Sequence, residues 1–291
     1  MTTPNELRLA DEPVPADVRA GVPDEPRPAG EPVPADVRAE APDEPRLADE
    51  PIAAEARAEV SDEPRPGDEH VPAEASGEPV ERVLPLVVRL EKSAPPGRTD
   101  ALEAAAVAVL TLLADPRATS GEWAEAVRAW EGYRIRKVVR RARGAPWRAA
   151  AALPGITVTR GSAEVRVYPP IPLDAWPPEL AKLQVSGTDL DDPAPPSAPP
   201  AGTPVLWLNP HLEMSAGKAM AQVGHGAQLA WWSLDDARRK EWAEAGFPLA
   251  VRPADPAAWP ALTSGDRPVV RDAGFTEVAP GSCTVVADLP R

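Results

Sequence analysis

The sequence predicts an α/β protein: a small mixed four-stranded sheet sandwiched by helices, present twice as a degenerate tandem repeat, behind a disordered N-terminal tail. Three observations carry this expectation. Short apolar runs alternate with helical periodicity in the last third of the chain; residues of the middle third recur there at a near-constant offset; and residues 1–80 form a proline-interrupted repeat. The resulting division is an acidic Pro-rich tail over 1–81, a first folded segment over 82–185, a Pro-rich linker over 186–203 and a second folded segment over 204–291.

The tail repeats one phrase with a period near twenty: Asp11 to Ala20 returns as Glu31 to Ala39, and Asp24-Glu25-Pro26-Arg27 returns at Asp43 and Asp62. Proline interrupts every helix or strand that these units could start, and they lack aromatic residues. Too little apolar surface is available to offset the entropy of ordering, so the tail is expected to be disordered. It also holds the acidity. Residues 1–82 carry 8 Lys+Arg and 22 Asp+Glu, 8 − 22 = −14, which equals the net charge of the whole chain. Residues 83–185 carry 15 against 10, or +5, and residues 204–291 carry 8 against 10, or −2. The bulk charge therefore does not argue against a nucleic-acid partner for the folded part.

In the first segment Pro85-Leu86-Val87-Val88 reads as a strand, and a second strand is expected at Ile135 to Val139. That strand lies in a basic run of Arg134, Arg136, Lys137, Arg140, Arg141, Arg143 and Arg148. Two readings stand: charges protecting an exposed sheet edge, or a surface that contacts phosphates. Asp191 to Pro200 is a Pro-rich stretch of extended character.

In the second segment Val205 to Leu208 reads as a buried strand and Ala216 to Trp232 as a helix. A helix from Leu234 to Ala245 should stop at Gly246. A short strand Leu249 to Val251 and a short helix Pro256 to Leu262 follow, and Val269 to Arg271 should pair with Thr284 to Ala287. On the first helix, with Lys218 at zero, Gln222 falls at about 40° and His225 at about 340°, so the three share one stripe. Met220, Val223, Ala227, Ala230 and Trp231 lie opposite, as a core face. Apart from these three the face is nearly all Ala and Gly, which leaves room for something to approach.

Met214-Ser215-Ala216-Gly217-Lys218-Ala219-Met220-Ala221-Gln222-Val223-Gly224-His225-Gly226 resembles the first signature of the type 2 peptidyl-tRNA hydrolases, and Asp272-Ala273-Gly274-Phe275-Thr276-Glu277-Val278-Ala279-Pro280-Gly281-Ser282-Cys283-Thr284-Val285 resembles their closing block. The resemblance implies hydrolysis of the ester joining a peptide to the 3′ ribose of tRNA, with Lys218, Gln222, His225, Asp272 and Thr276 as the site. His225 would be the base, Asp272 would orient it or the water, and Lys218 or Thr276 would face the oxyanion or a phosphate. Ser215, Arg136, Arg140 and Arg143 are expected to contact substrate. Three departures stand out: Phe275 replaces an arginine, Glu277 replaces a glutamine, and Asn209 to Glu213 differs upstream of Met214. A catalytically silent RNA-binding or regulatory protein on the same fold is the alternative, and a tail that recruits a partner is a third.

The repeat rests on offsets. Glu122 to Ala126 is identical to Glu241 to Ala245, 241 − 122 = 119, and Val139-Arg140 with Trp147 returns as Val251-Arg252 with Trp259, 252 − 140 = 112. Thr99, Glu103 and Ala106 then stand where Lys218, Gln222 and His225 do, and Arg160 where Asp272 does. The two halves are expected to pack as a pseudo-dimer within one monomeric chain. A single cysteine, Cys283, and three histidines exclude a disulfide framework and a His-rich zinc centre. No metal or cofactor is expected, tRNA is the expected partner, and a cytoplasmic protein without a membrane span is the expected setting.

Overall fold

Two strands, Arg82–Arg89 (β1) and Val205–Leu208 (β6), sit in the interior of two separate sheets, and each is followed by the longest helix of its half. The computed structural model describes residues 80–290. The expectation of disorder in the tail falls on residues outside these.

After β1 come helices Arg98–Ala114 (α1), Pro116–Thr119 (α2) and Ala124–Glu131 (α3), then Lys137–Ala142 (β2), Gly144–Ala151 (α4), Ile156–Arg160 (β3), Ala163–Val167 (β4), Ile171–Pro172 (β5) and Pro178–Ala181 (α5). After β6 come Ala216–Ser233 (α6), Asp236–Glu244 (α7), Ala250–Pro253 (β7), Trp259–Thr263 (α8), Val269–Arg271 (β8) and Cys283–Asp288 (β9). The first sheet runs β2-β1-β4-β3 and the second β7-β6-β9-β8. In each, the central strand pairs parallel with the strand after the long helix and antiparallel with the last long strand. Parallel neighbours need such a helical crossover. The first sheet has a fifth member, β5, paired with β1, so it departs from the four-stranded expectation.

α1 packs directly against α6, and one continuous core holds residues from both halves, from Leu84 and Leu110 to Leu206, Met220 and Val285. The described residues accordingly form one compact unit. This placement explains α1. Its Ala, Val and Leu residues are buried on nearly every side because β3 and β4 cover one face and α6 the other. The far face of the first sheet carries α4 and α5 on Val87, Ala142 and Tyr168, and that of the second carries Trp259 on Val286. The middle layer is crossed at the edges: α6 also touches β2, and α1 touches β7.

Local sequence sets the helix ends. Ser215 caps α6, its hydroxyl accepting from the Lys218 amide at 3.1 Å. Asp235 caps α7 in the same way, and Gly246, with φ of 73°, follows it in the left-handed region. The Pro-rich segment between the halves is tied to both long helices. Asp192 accepts from the Thr99 amide and hydroxyl, and the Thr188 carbonyl accepts from the Ala216 amide. Thr188 and Leu190 are buried. Expected elements of the second half are present with small shifts: the third helix begins at Trp259 rather than Pro256, and the strand near Leu249 begins at Ala250. In the first half the basic strand is Lys137–Ala142, two residues later than Ile135.

Candidate active site

α6 and the loop after β8 bring the two motif blocks together. Lys218 Nζ donates to Asp272 Oδ2 at 2.8 Å and reaches Thr276 Oγ1 at 3.3 Å. Gln222 Nε2 donates to the same Asp272 oxygen at 2.8 Å, while its carbonyl accepts from the buried Thr284 hydroxyl. The other Asp272 oxygen accepts from the Gly274 amide at 2.8 Å. Gly274 has φ of 81°, and a Cβ there would lie 2.4 Å from Pro280, so this tight loop needs glycine. Lys218 and Asp272 each keep only 9% of their side-chain surface exposed. Their pairing fixes the carboxylate in position.

His225 lies beside this network and makes no hydrogen bond to Asp272 among the described residues. Its Nδ1 lies 3.2 Å from Nζ of Lys137, a residue of β2 in the other half. Lys137 also donates to Gln228 Oε1 at 2.5 Å and approaches the Ile135 carbonyl at 3.4 Å, with the Trp130 ring 4.8 Å away. Burial pushes the Lys137 amine well below its ordinary value, against the opposing field of Glu131. Burial, then the charges of Lys137 and Lys218, hold the His225 imidazole well below its usual value, so the ring is neutral at pH 7. That environment differs from the near-neutral titration expected of a base.

All five expected catalytic residues, with Ser215, Arg136, Lys137 and Arg140, line one cleft of about 1120 Å³ between the halves. Ser215 is engaged as the helix cap: its hydroxyl and amide donate to Glu277 at 2.9 and 2.8 Å. Glu277 therefore places a carboxylate at the positive end of α6. Phe275 is 62% exposed, and the Arg136 guanidinium lies 5.3 Å from its ring centroid. An arginine from the first half thus stands beside the position where the motif lacks one. Arg140 donates to the Ala181 and Leu183 carbonyls and stacks over Trp176 at 4.2 Å, which holds its head group against the protein. Arg143 is not in this cleft; it lines a smaller one with Lys92, Arg141 and Lys182.

Glycines of α6 beside the stripe admit other parts of the chain. A Cβ on Gly224 would come within 3.2 Å of Lys137 Cδ and Val109 Cγ2, and one on Gly217 within 3.5 Å of Thr188. The small residues admit the other half and the linking segment. Two residues of the first half also serve this packing. Glu103 accepts from Arg252 Nη1 at 2.7 Å and the Val251 amide at 3.1 Å, and Arg160 donates to the Gly246 carbonyl at 2.7 Å.

Sequence reasoning missed Lys137 and Gln228 as neighbours of the site. The available signal was alternation, which puts Lys137 on the same face of β2 as the buried Val139. Among the described residues no three His, Cys, Asp or Glu side chains form a possible metal site, and no helix is long and apolar enough to cross a membrane. No family model matches the chain, and no curated protein matches it.

Proposed function

We propose that the protein hydrolyses the ester between peptide and tRNA in peptidyl-tRNA, using a cleft bounded by both halves of the chain. The observation that carries this reading is the convergence of Lys218, Gln222, His225, Asp272 and Thr276, drawn from two separated motif blocks, on that cleft. In the reaction a water oxygen bonds to the ester carbonyl carbon and the bond to the ribose oxygen breaks. The ribose oxygen takes one proton from the water, and the peptide leaves as a carboxylate with release of the other. Lys218, paired with Asp272, and the Thr276 hydroxyl place polar hydrogens at the cleft, where the carbonyl oxygen gains charge. Arg136, beside the exposed Phe275, adds a cation suited to tRNA phosphate.

The two halves are, on this reading, degenerate copies that pack as a pseudo-dimer within a monomer. Their matching strand orders and pairing senses support it, together with the 119-residue offset of Glu122 to Ala126. The first copy has given up the site and contributes contacts across the interface through Glu103, Arg160 and Lys137. The alternative, a silent tRNA-binding protein on this fold, is favoured by one observation: the Lys218 and Asp272 charges satisfy each other. Incubating the full chain with N-acetyl-aminoacyl-tRNA separates the two. Release of N-acetyl amino acid, abolished by His225→Ala, is the expected result. Intact tRNA binding without release would establish the silent binder.

A further inference from the structure

The buried amine of Lys137 has only a packing role in the reading above, yet it touches the one imidazole at the cleft. We propose that Lys137, a positioning residue from the first half, holds the His225 proton on Nε2, so that the ring meets the cleft as a hydrogen-bond donor to a carbonyl or anionic oxygen. The donor's use in ester hydrolysis rests on the proposed function; the proton's position does not.

The geometry argues for an ammonium at Lys137. Independently of the ring, Gln228 Oε1 and the Ile135 carbonyl can only accept from Lys137, and the Trp130 ring 4.8 Å away and the field of Glu131 favour the charged amine against the opposing effect of burial. The orientation of Gln228 follows from the same chain. Its amide nitrogen faces Glu131 Oε1 at 3.5 Å, which turns its oxygen toward Lys137. A proton on His225 Nδ1 would point at the ammonium, so Nδ1 accepts and the ring proton resides on Nε2.

Every charged group near the ring acts in the same sense or is engaged elsewhere. Lys137 from β2 and Lys218 from α6 oppose an imidazolium. Asp272 is held by Lys218, Gln222 and the Gly274 amide, and Glu131 lies beyond Gln228. Nε2 makes no hydrogen bond to the described residues, and it is not among the buried atoms that lack a partner, which leaves it open to the cleft that His225 lines. Gly224 permits the arrangement, since the Lys137 stem crosses α6 at that residue.

The test reads the ring directly and needs no substrate. In the full ¹⁵N-labelled chain, long-range ¹H–¹⁵N spectra report which nitrogen of each of the three histidines is protonated, and His225→Gln identifies the signals of His225. The expected wild-type result at pH 7 is an unprotonated Nδ1 and a protonated Nε2, with no titration of His225 at its ordinary value of 6.5. Lys137→Met should raise the His225 titration by about one pH unit or more and mix the two tautomers. Lys137→Arg, which keeps a cationic donor, should retain the Nε2 proton. A wild-type ring protonated on Nδ1, or an imidazolium at pH 7, overturns the proposal without any variant. So does a folded Lys137→Met protein whose His225 signals are unchanged. Failure to cleave N-acetyl-aminoacyl-tRNA would remove the hydrolase reading and leave the Lys137–His225 result standing.

Discussion

Asp272→Asn should destabilise the protein strongly, and the structure sets the scale. The carboxylate is 9% exposed, pairs with an equally buried Lys218 and accepts three hydrogen bonds, from Lys218, Gln222 and the Gly274 amide. Removing its charge leaves a buried ammonium with neutral acceptors alone, the remaining amide oxygen and the Thr276 hydroxyl. Breaking a buried pair from one side costs about 3–5 kcal/mol, and the residual exposure places this case near about 3 kcal/mol. For a folded unit of this size that corresponds to a fall in Tm of about 6–12 °C. Urea denaturation followed by tryptophan fluorescence measures the loss, since the chain has nine tryptophans. Lys218→Met combined with Asp272→Asn should cost less than the sum of the single changes, because no uncompensated charge remains. A loss below about 0.5 kcal/mol for Asp272→Asn, or strict additivity in the double variant, would refute the reasoning.

Three further outcomes are expected. The folded His225 titrates below its ordinary 6.5, so only the unfolded chain takes up this proton as pH first falls below 6.5; stability should then drop by up to about 1.4 kcal/mol per pH unit from this group, and His225→Gln should remove that component in urea titrations at pH 5 to 7. Gly226→Ala should lose about 1–3 kcal/mol by thermal denaturation, because its Cβ would lie 2.7 Å from Val285 Cγ1 on the sheet beneath α6. Glu103→Ala should cost about 2 kcal/mol, because it leaves Arg252, 14% exposed, and the Val251 amide without their acceptor across the interface of α1 and β7; denaturation that is unchanged would show that this bridge does not hold the halves together.

The second half was largely legible in the sequence because its signals are local. Val205 to Leu208 and Thr284 to Ala287 are apolar runs, Ser215 and Asp235 are helix caps, and Gly246 ends α7. The convergence of Lys218, Gln222 and Asp272 was legible for a similar reason, since helical spacing and the second motif block carry it. What remained hidden depends on contacts distant in sequence. Lys137 reads as one cation in a basic run, and only the docking of β2 on α6 turns it inward to His225. The small residues of α6 specified close approach, but not whether a ligand or the other half would approach. Arg140 and Arg143 illustrate the same limit: one head group is held by the Ala181 and Leu183 carbonyls, and the other lies at a separate cleft.

The central claim is that residues of both halves form one site for peptidyl-tRNA, and steady-state release of N-acetyl amino acid from tRNA by wild type and by Arg136→Ala tests it most directly. Arg136 belongs to the first half, lines the cleft beside the exposed Phe275 and is paired with Glu81 at 3.2 Å, a partner that a tRNA phosphate would replace. The expected result is release by wild type, with Arg136→Ala raising KM about tenfold, the scale of one charge-assisted phosphate contact, and leaving kcat within about twofold. Absence of release by wild type, or a KM that Arg136→Ala does not change, would contradict the claim.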